Sequence, residues 1–91
     1  MDETRIKNDT KIKIGTNIKR IRRQRKLKTS DLVIKVQLAG VDINIFVLDK
    51  IEANTQHIKA SQFRAIAEAL EVDCMELLKD APSSENPSVN A

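Results

Sequence analysis

INIFVLDKIE, residues 43–52, is the stretch on which the reading of this chain turns. It amounts to about three turns of helix. Gly40, Val41 and Asp42 make a break before it, and Ala53 and Asn54 make another after it. On a wheel of 3.6 residues per turn, Leu48 and Ile51 point one way, while Phe46 and Lys50, four apart, point the other. The first pair predicts a buried face. The second predicts a face left open, and it puts a phenylalanine there.

Working outward, amphipathic segments flank this stretch on both sides. Ile14, Ile18 and Ile21 recur at i, i+4 and i+7 and predict a first helix over residues 13–26. Lys19, Arg20, Arg23 and Lys26 point outward between them. Thr29 or Ser30 can cap a second helix, with Asp31 well placed in its first turn. Leu32, Val36 and Ala39 form its inward row, and Gly40 can take the left-handed conformation that stops it. Asp42 or Asn44 can cap the third helix, and Asn54 tolerates positive φ after it. Residues 55–59 read as a loop. Phe63, Ile66, Ala67 and Leu70 mark a fourth helix, and Asp73 caps a short fifth through Leu77 and Leu78. Residues 1–12 read as a flexible basic arm and residues 80–91, rich in Pro, Ser and Asn, as a disordered tail. Val33-Ile34 and Phe46-Val47 give weak strand signals, but they fall within helical periods. The expected fold is all-α, a compact bundle of about five short helices over residues 13–79.

Composition is consistent with this. Ninety-one residues make one small domain, able to bury roughly 60% of its unfolded surface. Aromatics are 2% with no Trp or Tyr, so the core must be built from Ile, Leu, Val and Ala. With 41% hydrophobic and 32% charged residues, the chain is globular. The single Cys74 excludes an internal disulfide and reads as a buried apolar residue. The sequence shows no signal peptide or long apolar run, which gives the expectation of a soluble cytoplasmic protein with no membrane partner. The overall charge of +3 is unevenly spread. Residues 1–28 hold eleven Lys or Arg against three Asp or Glu, a net of +8, leaving −5 for the rest. A basic end on a small helical protein points to a polyanion. A membrane surface fits less well, because the outer face of the first helix lacks bulky apolar residues to insert.

With five helices placed, the chain resembles the Cro/C1-type helix-turn-helix regulators, often called the Xre family, over about residues 14–79. IGTNIKRIRRQRKLK is similar to the family's first helix, with an arginine at Arg22. KIEAN, ending at Asn54, looks like its K-I-E-N-G motif. FRAIAEALEVDCMELLK resembles its closing helices. The resemblance implies a lambda-repressor-like DNA-binding domain, acting on double-stranded operator DNA as a homodimeric, repressor-like regulator of bacterial or phage origin. It places the helix-turn-helix at about residues 30–38 and 44–53, and it pairs Arg22 with Glu52. The implied DNA contacts are Thr29 and Ser30, then Asn44, Ile45, Phe46 and Lys50, then Thr55, Gln56, His57 and Lys59. The chain also departs from the pattern. Thr29 stands where a Gln usually opens the second helix, Val33 stands for a small Ala, and Asn54 stands for Gly. The second helix and turn are about five residues longer than in compact members. Of the base-facing residues only Lys50 is a usual reader, for guanine. Ile45 and Phe46 can offer only apolar contact, as to a thymine methyl, and Asp49 lies nearby.

No enzymatic constellation emerges, and no metal, cofactor or small-molecule substrate is expected. His57 is the lone histidine, Gly15 and Gly40 are too far apart for a phosphate loop, and Ser30 and Ser61 read as caps at helix starts. Glu68, Glu71, Asp73 and Glu76 read as helix-surface carboxylates. The alternative to a DNA-binding regulator is a protein-interaction or dimerisation module on the same fold, using an apolar face of Ile45, Phe46 and Val47.

Overall fold

The computed structural model describes residues 5–6 and 13–79. The expected tail and most of the expected arm lie outside them. Five helices follow one another: α1 (Ile14–Gln24), α2 (Thr29–Leu38), α3 (Ile45–Glu52), α4 (Ala60–Leu70) and α5 (Cys74–Leu77). Two short strands accompany them, β1 (Arg5–Ile6) and β2 (Ile58–Lys59). They pair antiparallel, with Arg5 opposite Lys59 and Ile6 opposite Ile58. Two expectations are corrected here. Arg5 and Ile6 are held against another segment rather than in a free arm, and residues 58–59 are strand rather than loop. No described helix is long and apolar enough to cross a membrane.

The helix ends share one device. After α1, α2, α3 and α4, the residues Lys26, Gly40, Asn54 and Glu71 take positive φ, at 59°, 88°, 62° and 61°. In each case the next residue donates back across the turn: Leu27 to Arg22, Val41 to Val36, Thr55 to Lys50 and Val72 to Ala67. These are Schellman closures, which satisfy the last free carbonyls of a helix. Gly40 and Asn54 are residue types that announce such a turn. Lys26 and Glu71 are not, since a side chain at positive φ costs about 1–2 kcal/mol. Their compensation is the following residue, Leu27 or Val72, which packs half-buried against the core. The first helix therefore stops two residues sooner than its periodicity suggests.

The starts also differ from the reading of caps. Lys28 precedes α2, and the Asp31 carboxylate accepts its N–H at 2.9 Å. Thr29 and Ser30 lie inside the helix. At α4 the equivalent pair is Lys59 N–H and Gln62 Oε1, 3.0 Å apart, so Ser61 is not the cap. Asn44 does cap α3, accepting from Val47 N–H at 2.8 Å, and Asp73 caps α5, accepting from Met75 N–H at 3.0 Å.

The core is aliphatic apart from Phe63. Ile14, Ile18, Ile21, Leu32, Val36, Leu48, Ile51, Ile66, Leu70 and Leu77 are buried, joined by Val33, Ile43 and Ile58. On α2, Val33 takes the inward place expected of Ala39, which is exposed. Cys74 is half-buried at the edge of the core. The six residues between α2 and α3 are not slack despite their number. Ile43 is buried, its carbonyl accepts from Gln37 Nε2 at 2.8 Å, and Gln62 Nε2 donates to the carbonyl of Asp42 at 3.3 Å.

Asn17 and Gly15 are two of the points at which α1 meets the rest of the fold. Asn17 is fully buried and donates to the carbonyls of Leu77 and Lys79, both at 2.9 Å, which closes the C-terminal end of α5 onto α1. Gly15 is the point of closest approach between α1 and α3. A Cβ there would run into the Ile51 carbonyl and the Asn54 side chain. Asn54 then clasps the start of α1, accepting from Gly15 N–H at 3.1 Å and donating to Thr16 Oγ1 at 2.9 Å. Replacing Gly with Ala in a helix ordinarily stabilises by about 1 kcal/mol. Here Gly15→Ala should instead destabilise by about 1–3 kcal/mol, because backbone must move to admit the methyl. Urea unfolding of the two proteins measures the sign.

Candidate nucleic-acid interface

α3 is anchored on one side and open on the other. Leu48 and Ile51 are buried and Glu52 is 7% exposed, whereas Phe46 is 77% exposed and Ile45 41%. Asp49 and Lys50 are exposed as well. The i, i+4 pair Phe46–Lys50 therefore lies on the outer face, as the wheel predicts. Val47 does not belong to that face. It is half-buried and packs against the core, so the apolar triplet expected of an interaction surface is reduced to Ile45 and Phe46.

The anchor is a buried ion pair. Arg22 Nε donates to Glu52 Oε2 at 2.8 Å and Nη2 donates to Oε1 at 3.0 Å, a bidentate fork. Nη1 donates to the Leu27 carbonyl at 2.8 Å, in the turn that follows α1. The hydrogen-bonded Glu52 carboxylate holds the Arg22 guanidinium above its ordinary pKa. Burial opposes this, and the charges of Glu52 and Asp49 add to it. Both ends of the pair sit in the orientation that fixes α3 against α1.

Around α3 the expected contact residues divide. Thr29 and Ser30 lie half-buried in the first turn of α2. Asn44 stands at the N-terminus of α3, with its side-chain oxygen already bound to backbone. Thr55 is exposed, and its hydroxyl donates to the Lys50 carbonyl at 3.1 Å, which stiffens the turn after α3. Gln56 is half-buried and His57 exposed in that same turn. Lys59 is half-buried within β2. The turn after α3 is thus tied to β1 by backbone pairing immediately after His57.

The basic surface of α1 is smaller than its charge count. Arg25 Nε donates to the Leu70 carbonyl at 2.8 Å, and its Nη2 reaches the Glu71 carbonyl at 3.4 Å, so this cation closes the end of α4. Arg20 Nη2 donates to Asn17 Oδ1 at 3.1 Å, and its Nε is buried without a partner. Lys19, Arg23, Lys26 and Lys28 remain exposed. Sequence periodicity distinguishes outward from inward positions. It could not show that Arg20 and Arg25 are spent on carbonyls or amides 45 residues away or on a neighbouring turn.

Between α2 and α3 lies an open hollow of about 380 Å³, lined by Val33, Gln37, Asn44, Ile45 and Phe46. Its walls are almost wholly apolar. Gln37 escaped the sequence reading. Its amide ties α2 to the Ile43 carbonyl, and no local pattern marks a side chain that bonds backbone six residues ahead. Ile34 and Leu38, four apart on the outer row of α2, are 54% and 83% exposed. Among the described residues, no group of three or more His, Cys, Asp or Glu is placed to hold a metal ion. Comparison with protein-family models, curated proteins and solved structures returned no match to this chain.

The two faces of α3 predict opposite responses to mutation. Glu52→Gln should cost stability approaching the range of about 3–5 kcal/mol for unpairing a buried charge. Glu68→Gln, on the exposed side of α4, should stay within about 0.5 kcal/mol. Equal shifts in the melting temperature would remove the pair as an anchor. Phe46→Ala should likewise change stability by no more than about 0.5 kcal/mol, while Phe63→Ala should cost about 3–5 kcal/mol. Denaturant titration of both variants tests the assignment of faces.

Proposed function

We propose that this chain is a sequence-specific DNA-binding transcriptional regulator, repressor-like, that binds duplex DNA as a homodimer. In this reading α2 and α3 form a helix-turn-helix, and α3 lies in the major groove with Ile45, Phe46 and Lys50 toward base edges. The observation that carries it is the rigid mounting of α3. The Arg22–Glu52 fork and the Asn54–Gly15 clasp fix its inner side, while its outer face carries no packing duty. A helix held this way presents side chains at a defined depth and angle, which groove readout requires. Lys19, Arg23, Lys26 and Lys28 supply exposed positive charge for phosphates, and Thr55, Gln56 and His57 extend the contact beyond α3. Arg20 and Arg25 contribute less, since each has part of its guanidinium engaged within the protein.

A second reading, a protein-interaction or dimerisation module, draws on the exposed row Ile34 and Leu38 together with Phe46. Exposed aliphatic and aromatic side chains of this size commonly mark a contact surface. The two readings separate on salt. Binding of the full chain to duplex DNA should weaken with salt in proportion to the phosphates neutralised. Lys19→Gln with Arg23→Gln should reduce the slope of log K against log salt by about two. Lys50→Ala should weaken a selected duplex more than a random one. Affinity that is insensitive to salt and to Lys50, with self-association abolished by Phe46→Ala, would favour the interaction module.

A further inference from the structure

The hollow beside Phe46 is bordered by two amides, and both are already engaged. Gln37 Nε2 is held by the Ile43 carbonyl, and Asn44 Oδ1 is held by the Val47 N–H, each at 2.8 Å. Reading adenine takes both ends of one amide, a donor and an acceptor together. Each amide keeps a free donor and a free acceptor site, but its backbone bond ties it to the α2–α3 connection or to the start of α3 and limits how far it can turn toward a base. Past Asn44, the first turn of α3 presents hydrocarbon: Ile45 and Phe46, with Val33 beside them in the hollow. In the major groove, the hydrocarbon group on a base edge is the 5-methyl of thymine. Lys50, one turn further along the same face, is the only cation of α3.

We propose that Phe46, with Ile45, reads thymine 5-methyl groups in the major groove, so that the DNA sites preferred by this chain carry thymine where the N-terminal turn of α3 enters. This rests on α3 being the groove-facing helix. The chemistry is burial of a methyl against an apolar wall, a contact without directional bonds. It accounts for a phenylalanine kept 77% exposed on a helix whose other face is fully packed.

The test uses the full chain and a duplex selected by it from a random pool. That duplex is compared with the same sequence made with deoxyuridine in place of thymine, which removes the methyl and leaves every hydrogen-bonding edge unchanged. Affinity should fall about fourfold for each methyl contacted. Phe46→Ala should bind the two duplexes equally, and Phe46→Leu should keep part of the discrimination. Indifference of the unmutated chain to uracil, or undiminished discrimination in Phe46→Ala, overturns the proposal. If that happens while binding stays salt-dependent and sequence-selective, methyl readout alone falls. If no duplex is preferred over random DNA, the reading of α3 as a DNA helix falls with it. A change in sedimentation of Phe46→Ala without DNA, with no uracil effect, gives the hollow to a second copy of the chain and also overturns the proposal.

Discussion

The fork between Arg22 and Glu52 is the constraint on which the arrangement of this protein turns. It joins the last full turn of α1 to the end of α3, and a third guanidinium nitrogen holds the turn at Leu27. A buried pair of this kind adds little net stability, because both ions must leave water. Its value is geometric. Two parallel hydrogen bonds to the carboxylate, from a guanidinium held in turn by the Leu27 carbonyl, restrict the orientation of α3 relative to α1, where aliphatic packing alone would tolerate sliding. At the other end of the same interface, Gly15 lets the two backbones meet, and Asn54 binds the open end of α1. The two fastenings sit about two turns apart along α1, and on the other side both meet the C-terminal end of α3, at Glu52 and just past it at Asn54.

This mounting has a consequence for the outer face. Leu48 and Ile51 fill the core, so the side chains of Phe46 and Lys50 are left outside it, while the Asp49 charge supports the Arg22 guanidinium. The six-residue connection from α2 to α3 could have loosened that face. Burial of Ile43 and the two glutamine amides, Gln37 and Gln62, prevent it. Extra residues in a turn add entropy only while they are free to move. Here they are pinned on both sides, by Gln37 at the Ile43 carbonyl and by Gln62 at the Asp42 carbonyl.

The charge distribution shows the same division of labour. A count of cations overstates what α1 offers to a polyanion, because a guanidinium can also satisfy helix carbonyls. Arg25 does this for α4, and Arg20 is turned toward Asn17. Lys19, Arg23, Lys26 and Lys28 are exposed and hold no side-chain hydrogen bond or ion pair to another described residue. A lysine ammonium stays a hydrated, mobile point charge, whereas a guanidinium bonded along one edge has fewer nitrogens left for any other partner.

The five helices and most of the core were legible in the sequence, because apolar spacing at 3.6 residues records which side of each helix is dry. The inward Leu48–Ile51 and outward Phe46–Lys50 pairs of α3 followed from the same rule, though Val47 did not. The stops at Gly40 and Asn54 and the cap at Asp73 followed from residue type, and between Asp42 and Asn44 the structure chose Asn44 as the cap of α3. Arg22 and Glu52 came from resemblance, and their bidentate contact is visible only in three dimensions. Other features had no local signal. Lys26 and Glu71 take positive φ because Leu27 and Val72 find the core. Gly15 is needed because Ile51 passes close to it. Asn17 is buried because α5 ends over it, and residues 58–59 form a strand because residues 5–6 lie alongside. Each depends on a partner distant in the chain or on a neighbour's burial. Sequence by itself determined what each segment does with water. Only the tertiary structure decided which polar groups would be spent on holding the fold and which would remain free to meet something else, because a hydrogen bond is set by position in space and not by spacing along the chain.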